Sequence, residues 1–157
     1  MAQKRICRVA GVAIKDNHVL IHRRKEKDYW TFPGGGCKFY ETTKDALERE
    51  FLSEIDARIK INRLLFIVEN LYLKKNIPNH EIEFFYEIEM EDKFNPSQEY
   101  FYGNEGEDTL VFFWCPLDQL ESMRVFPMCL KKVLKDIPDH ILHVIHKNED
   151  KPNDYNE

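Results

Sequence analysis

Residues 35–57 read GGCKFYETTKDALEREFLSEIDA, with Phe32-Pro33-Gly34 directly before them. A proline followed by three glycines makes a sharp turn and lets backbone groups approach an anion closely. From Thr42 or Thr43 to about Ala57 the pattern becomes helical. It has a threonine cap, Asp45 and Glu48 early, and Leu47, Phe51 and Ile55 at four-residue steps. Glu50 and Glu54 sit four apart, and with Ser53, Ala46 and Ala57 they form a second stripe with a polar centre. That stripe lies about 100° around the helix from the apolar row, so packing the row on a sheet leaves the carboxylates at a cleft edge.

Two like charges at that spacing repel by roughly 0.2–0.5 kcal/mol on an exposed helix. A hard divalent cation reverses the sign. Mg²⁺ takes one or two protein carboxylates together with waters and substrate phosphate oxygens, and it can activate water and orient a phosphate. Taken alone, Glu48, Glu50 and Glu54 also fit a solvated helix face balanced by Arg49 and Lys44. The glycine turn at the start of this helix weighs against that plainer reading.

Outward from this centre, residues 6–14 and 18–22 read as a β-hairpin across the polar break Lys15-Asp16-Asn17. Residues 59–73 and 80–90 read as a second hairpin joined through residues 74–79. In its second strand Ile82, Phe84, Tyr86 and Ile88 alternate with Glu81, Glu83, Phe85, Glu87 and Glu89, which predicts one buried face and one acidic exposed face. Residues 93–107 read as a functional loop and residues 109–115 as a short apolar strand. Residues 116–123 suggest one or two helical turns, and residues 127–137 an amphipathic helix with Pro127 at its first position. These elements make one domain over residues 1–146, with a disordered polar tail at 147–157.

The central stretch resembles the Nudix hydrolase family, whose box runs G-x5-E-x7-R-E-U-x-E-E-x-G-U, where U is a bulky apolar residue. Gly35, Glu41, Arg49, Glu50, Phe51 and Glu54 match it. Phe32 to Gly35, both hairpins and residues 113–120 are similar to family segments as well. The resemblance implies an α+β fold, a mixed β-sheet sandwiched between α-helices. It implies hydrolysis of a nucleoside di- or triphosphate derivative by water attack on phosphorus, with Mg²⁺ as cofactor and Mn²⁺ as a substitute. In this chain Glu50 and Glu54 would hold the metal, with the Gly34 carbonyl completing its shell. Glu50 would also orient or deprotonate the water, while Arg49 and Glu41 would pair to fix the loop on the helix.

Three positions depart from the box. Ser53 stands at the first glutamate of the E-E pair, Asp56 at the glycine and Ala57 at the last apolar position, while Tyr40 occupies a place where glycine is frequent. Asp visits the left-handed conformation more readily than most residues, so Asp56 can close the helix. Ser53 is a weaker, neutral ligand. It supports an alternative in which the chain is a Nudix-fold nucleotide-binding or regulatory module with weakened or lost hydrolysis.

A further acid from a distal loop is common in the family, which makes Glu105, Glu107 and Asp108 candidates. For substrate phosphate, Arg23 is chosen over Arg24, together with Gly35 and Gly36. Tyr29, Trp30, Phe39 and Tyr40 could stack on a base or simply wall the cleft. His80 and Glu81 are weaker candidates. His140, His143 and His146 have no partners at metal-ligand spacing and read as an ordinary terminal segment.

The 157 residues are 43% hydrophobic, which argues for a folded core, and the net charge of −5 disfavours a nucleic-acid partner. Cys7, Cys37, Cys115 and Cys129 are scattered without a disulfide framework, and no apolar run spans a bilayer. A cytoplasmic enzyme with a small nucleotide substrate and no membrane attachment is expected, and the resemblance allows a homodimer.

Overall fold

The computed structural model describes residues 4–147, so the predicted tail lies, beyond Lys147, outside the described residues. In chain order the elements are β1 (Lys4–Val12), β2 (Ile14–Lys15), β3 (His18–Arg24), β4 (Trp30–Thr31), β5 (Gly34–Gly36) and α1 (Thr43–Ile55). They continue with β6 (Ile59–Lys74), β7 (Ile77–Met90), β8 (Tyr100–Glu105), β9 (Asp108–Pro116), a 3-10 helix (Leu117–Ser122), β10 (Val125–Phe126), α2 (Leu130–Val133) and β11 (Leu142–Lys147).

These strands form two sheets. The first has the order β11-β6-β7-β1-β5 and is mixed: β1 runs parallel to β7 and β11 to β6, while β6/β7 and β1/β5 are antiparallel. The second has the order β10-β4-β3-β9-β8, with β2 on β3. Side chains alternate between two cores. Val9, Leu20, Phe112 and Trp114 join Ala46, Leu47 and Phe51 of α1 on one side. Ala10, Ile21, Phe113 and Cys115 join Leu120 of the 3-10 helix and Leu130 and Leu134 at α2 on the other. The sandwich between helices follows from that alternation.

The first hairpin differs from its expectation. Only Ile14↔Val19 and Lys15↔His18 pair, across a turn with Asp16 and Asn17 at positive φ. Residues 4–12, as β1, belong to the other sheet, where a nine-residue parallel ladder ties β1 to β7, while β3 stays with β2 and pairs with β9. The second hairpin is longer and tighter than its sequence suggested. Its turn is Lys75-Asn76, again both at positive φ, the geometry of a type I′ connection.

Alternation along β7 is also inverted at its start. Glu81 and Glu83 are buried, at 0% and 4% exposure, while Ile82 is 38% exposed. The two glutamates face Arg8 of the parallel neighbour, and that partner outweighs the hydropathy pattern. Two further elements depart from the reading. The second half of the predicted 93–107 loop is β8, paired along its length with β9. The predicted 127–137 helix shrinks to the four residues of α2, and Pro127 precedes it rather than starting it. His143 and His146 lie on β11, where they meet Glu69 at 2.9 Å and Asn70 at 3.3 Å. None of the four cysteines is joined in a disulfide. Among the described residues no helix is long and apolar enough to cross a membrane.

Candidate active site

Helix α1 positions the acids. Thr42 caps it by accepting from Asp45 N–H at 3.1 Å, and Thr43 Oγ1 lies 2.7 Å from the Tyr86 hydroxyl, which ties its first turn to β7. At the other end Asp56 adopts the left-handed conformation, φ 52 and ψ 39, and its N–H returns to the Leu52 carbonyl. Leu47 and Phe51 are buried on the sheet, which turns Glu50 and Glu54 toward the glycine turn. Gly103 of β8 has the end of α1 directly against it, since a Cβ there would lie 2.5 Å from the Glu54 carbonyl oxygen. That close approach carries Glu105, two residues on, to the acids.

Arg49 joins helix and loop. Its Nε and one terminal nitrogen donate to the two oxygens of Glu41 at 2.8 and 3.0 Å. The same guanidinium donates to Glu50 at 2.8 Å and to the Gly36 carbonyl at 3.1 Å. The Arg49 hydrogen bond, with the Lys38 N–H second, holds the Glu41 carboxyl down to about 2, while Glu41 raises Arg49. Tyr40 is fully exposed and has φ 66, the backbone freedom that glycine would supply at that point of the loop.

Glu54 has the opposite surroundings. Burial, then the charges of Glu50 and Glu105, push its carboxyl up to about 9, and it shares a hydrogen bond with Glu50. Glu50 lies beneath Gly35, where a Cβ would meet its carboxyl carbon at 2.6 Å. Beside them, His22 Nδ1 is 3.9 Å from Glu54 Oε2 and makes no hydrogen bond. Burial, then Arg8 and Arg24, lower His22 to about 3, so the ring is neutral at ordinary pH.

Next to these acids lies a cavity of about 300 Å³, at the low end for small-molecule sites; Gly35 above Glu50 and His22 beside Glu54 line it, but Glu50 and Glu54 themselves do not. Four cations line it: Arg8, Arg23, Arg24 and Lys27. Gly34, Gly35 and Gly36 form one side, and Tyr29 and Leu110 provide apolar wall. Of the three distal acids, Glu105 lines the cavity and lies 3.4 Å from Arg24. Asp108 meets Arg24 at 3.7 Å, and Glu107 is exposed. Arg23 lines the cavity, but its NH1 donates to the carbonyls of Arg24, Lys25 and Lys27, and its guanidinium lies 5.0 Å from the Trp30 ring centroid. Phe39 is fully exposed and Ser53 is exposed; neither lines the cavity. His80 meets Glu69 at 3.4 Å.

The sequence reading passed over Arg8, His22 and Lys27. Arg8 carried a signal, being a lone charge within the apolar run of β1. His22 carried none.

A mixed-sheet sandwich that sets a carboxylate pair under a glycine turn, beside a cation-lined cavity, has the features of a phosphate-handling fold, although among the described residues no cluster of three or more His, Cys, Asp or Glu is arranged to hold a metal ion. The NUDIX domain family model matches residues 5–137, and the chain belongs to that family. Over 70 residues, 42% of this chain, it is 33% identical to an 8-oxo-dGTP diphosphatase of Buchnera aphidicola subsp. Schizaphis graminum (strain Sg), and the match spans about half, 54%, of that relative. The fold is similar to that of a MutT protein from Bacillus halodurans, with TM-score 0.65 and 16% identity over 92% of this chain and 91% of that one. A UDP-X diphosphatase shares it with TM-score 0.64 and 18% identity over 88% of this chain and 67% of that one.

Proposed function

We propose that this chain is a divalent-metal-dependent pyrophosphohydrolase that opens a phosphoanhydride bond of a small nucleotide derivative by water attack on phosphorus. One observation carries the reading. Glu54, buried and pushed up to about 9, shares a hydrogen bond with Glu50 directly under the glycine turn. A buried acid that keeps its proton beside a second carboxylate fits a divalent cation, which replaces that proton. Mg²⁺ or Mn²⁺, held by Glu50 and Glu54 with the Gly34 carbonyl and Glu105 as further oxygen donors, would supply an activated water and neutralise phosphate charge.

The chain's own groups do the rest. Glu50, anchored by Arg49, orients the attacking water and takes its proton. Arg23, Arg24 and Lys27 bring positive charge to the phosphates, and Gly35 and Gly36 let the backbone approach them. Arg49 and Glu41 keep the loop in register with the helix, which holds Glu50 in place. Four cysteines without a disulfide fit a reducing compartment such as the cytoplasm. The competing reading, a nucleotide-binding module without turnover, draws on Ser53, an exposed neutral residue where the box has an acid.

Assaying phosphate and nucleotide release with Mg²⁺ or Mn²⁺ across 8-oxo-dGTP, the ordinary nucleoside triphosphates, UDP-sugars, ADP-ribose and dinucleoside polyphosphates separates the two. Turnover of at least one compound is expected, with kcat reduced about 10²–10⁴-fold in Glu50→Gln. Binding without turnover on any of them would favour the module and sink the enzyme.

A further inference from the structure

Arg8 lies on β1 opposite Gly36 of the glycine turn and beside Glu83 of β7. Its Nε donates to Glu83 Oε2 at 3.1 Å and lies 3.2 Å from Glu81 Oε1. The two glutamate side chains are 0% and 6% exposed, whereas Arg8 keeps 18% and lines the cavity.

Two interior carboxylates around one guanidinium are a costly way to join two strands, because apolar side chains of similar volume hold a sheet at least as well. What the trio does that apolar residues cannot is hold a guanidinium in one place and orientation. The place is beside the glycine turn, on the cavity that Arg24 and Lys27 also line. The guanidinium keeps part of its surface on the cavity, and its planar fork is of the kind that makes bidentate contact with a phosphate. Arg23, by contrast, is built into the turn after β3 through the three carbonyls that its NH1 meets.

We propose that Arg8 is a substrate-phosphate-binding residue, and that Glu81 and Glu83 are positioning residues that hold it. Several cations lining one cavity fit a ligand with more than one phosphate. The assignment rests on the hydrolase reading for its ligand class, a nucleoside di- or triphosphate ester, and deepens it by naming a contact outside the box.

The test is isothermal titration with ATP in Ca²⁺, which takes oxygen ligands without the octahedral demand of Mg²⁺, alongside kinetics in Mg²⁺ on whichever compound the wild type turns over. Arg8→Lys keeps the charge and removes the fork. It is expected to weaken ATP binding on the order of 10–100-fold, as loss of charge-assisted hydrogen bonds does. Glu81→Gln is expected to raise KM with kcat nearly unchanged. If Arg8→Ala fails to fold, Arg8→Lys still decides the matter. A folded Arg8→Lys protein with lower melting temperature but unaltered Kd would show a purely structural clamp and overturn the assignment, as would a wild type that does not bind ATP. Wild-type turnover with KM and Kd indifferent to Arg8 sinks this inference alone. ATP binding that depends on Arg8 without any turnover sinks the hydrolase reading alone.

Discussion

Arg49 and Arg8 are each gripped by two glutamates, and the grips differ in where their parts come from. Arg49 takes Glu41, eight residues earlier, and Glu50, its neighbour along the helix. These groups sit at the rim, with 17% and 16% of the glutamate side chains and 30% of the arginine exposed. Arg8 takes Glu81 and Glu83, the latter 75 residues away, on a buried sheet face. The rim clamp shapes one loop. The interior clamp exists only when β1 has docked alongside β7, so it couples the cavity wall to the assembled sheet.

The comparison breaks most readily at the interior clamp. Arg8→Leu leaves two buried carboxylates without their cation, and urea unfolding is expected to show about 3–5 kcal/mol of lost stability. A loss below about 1 kcal/mol would mean that the acids do not depend on Arg8 and that the two clamps are alike.

A smaller effect comes from the acids that have no such clamp. Glu54 has a folded-state value of about 9 against 4.5 in an unfolded chain. Below 4.5 both states hold the proton and nothing changes; between 4.5 and 9 only the folded state keeps it, so stability falls as pH rises through that window. His22 acts with the opposite sign, since its folded value of about 3 lies below 6.5 and stability falls as pH drops between the two. Above pH 6.5 only Glu54 contributes, so thermal melts in EDTA from pH 6.5 to 9 should decline for the wild type, flatten in Glu54→Gln, and show a stabilisation by Mg²⁺ that grows with pH. Parallel curves for the two proteins would remove Glu54 from this account.

The least effect is expected at the rim. Arg49→Leu should cost at most about 1 kcal/mol in the same urea assay, because its charges are partly solvated and can rehydrate. A loss matching that of Arg8→Leu would erase the distinction between the two.

What could be read from the sequence follows the same division between near and far. The helix, its threonine cap and its end at Asp56 are encoded within 15 residues, and so are the positions of Glu41, Arg49, Glu50 and Glu54. The Lys75-Asn76 turn lay inside the predicted connection because both of its strands flank it. The partition of β1 and β2 between two sheets depends on a parallel partner that no local pattern names. Glu81 and Glu83 read as solvent-facing for the same reason: hydropathy alternation cannot register an arginine that arrives from another strand. Strand β8 was hidden by the turn-forming residues around Tyr100 to Tyr102, and β11 by its histidines. Glu105 could be narrowed from three acids only after β8 was seen to bring it against the end of α1.

The three consecutive glycines Gly34 to Gly36 differ in what lies against them, and this sets how freely each can vary over evolutionary time. A side chain at position 34 would strike the Val9 carbonyl oxygen at 2.0 Å, so the adjoining strand forbids it whatever the protein does. At position 35 the obstacle is the carboxylate of Glu50, a side chain that can swing aside. At position 36 nothing lies within 4 Å. The middle glycine is thus guarded by the acid rather than by the fold. A lineage released from the need for Glu50 would be free to lose Gly35 next, while Gly34 would persist as a fossil of the shared architecture.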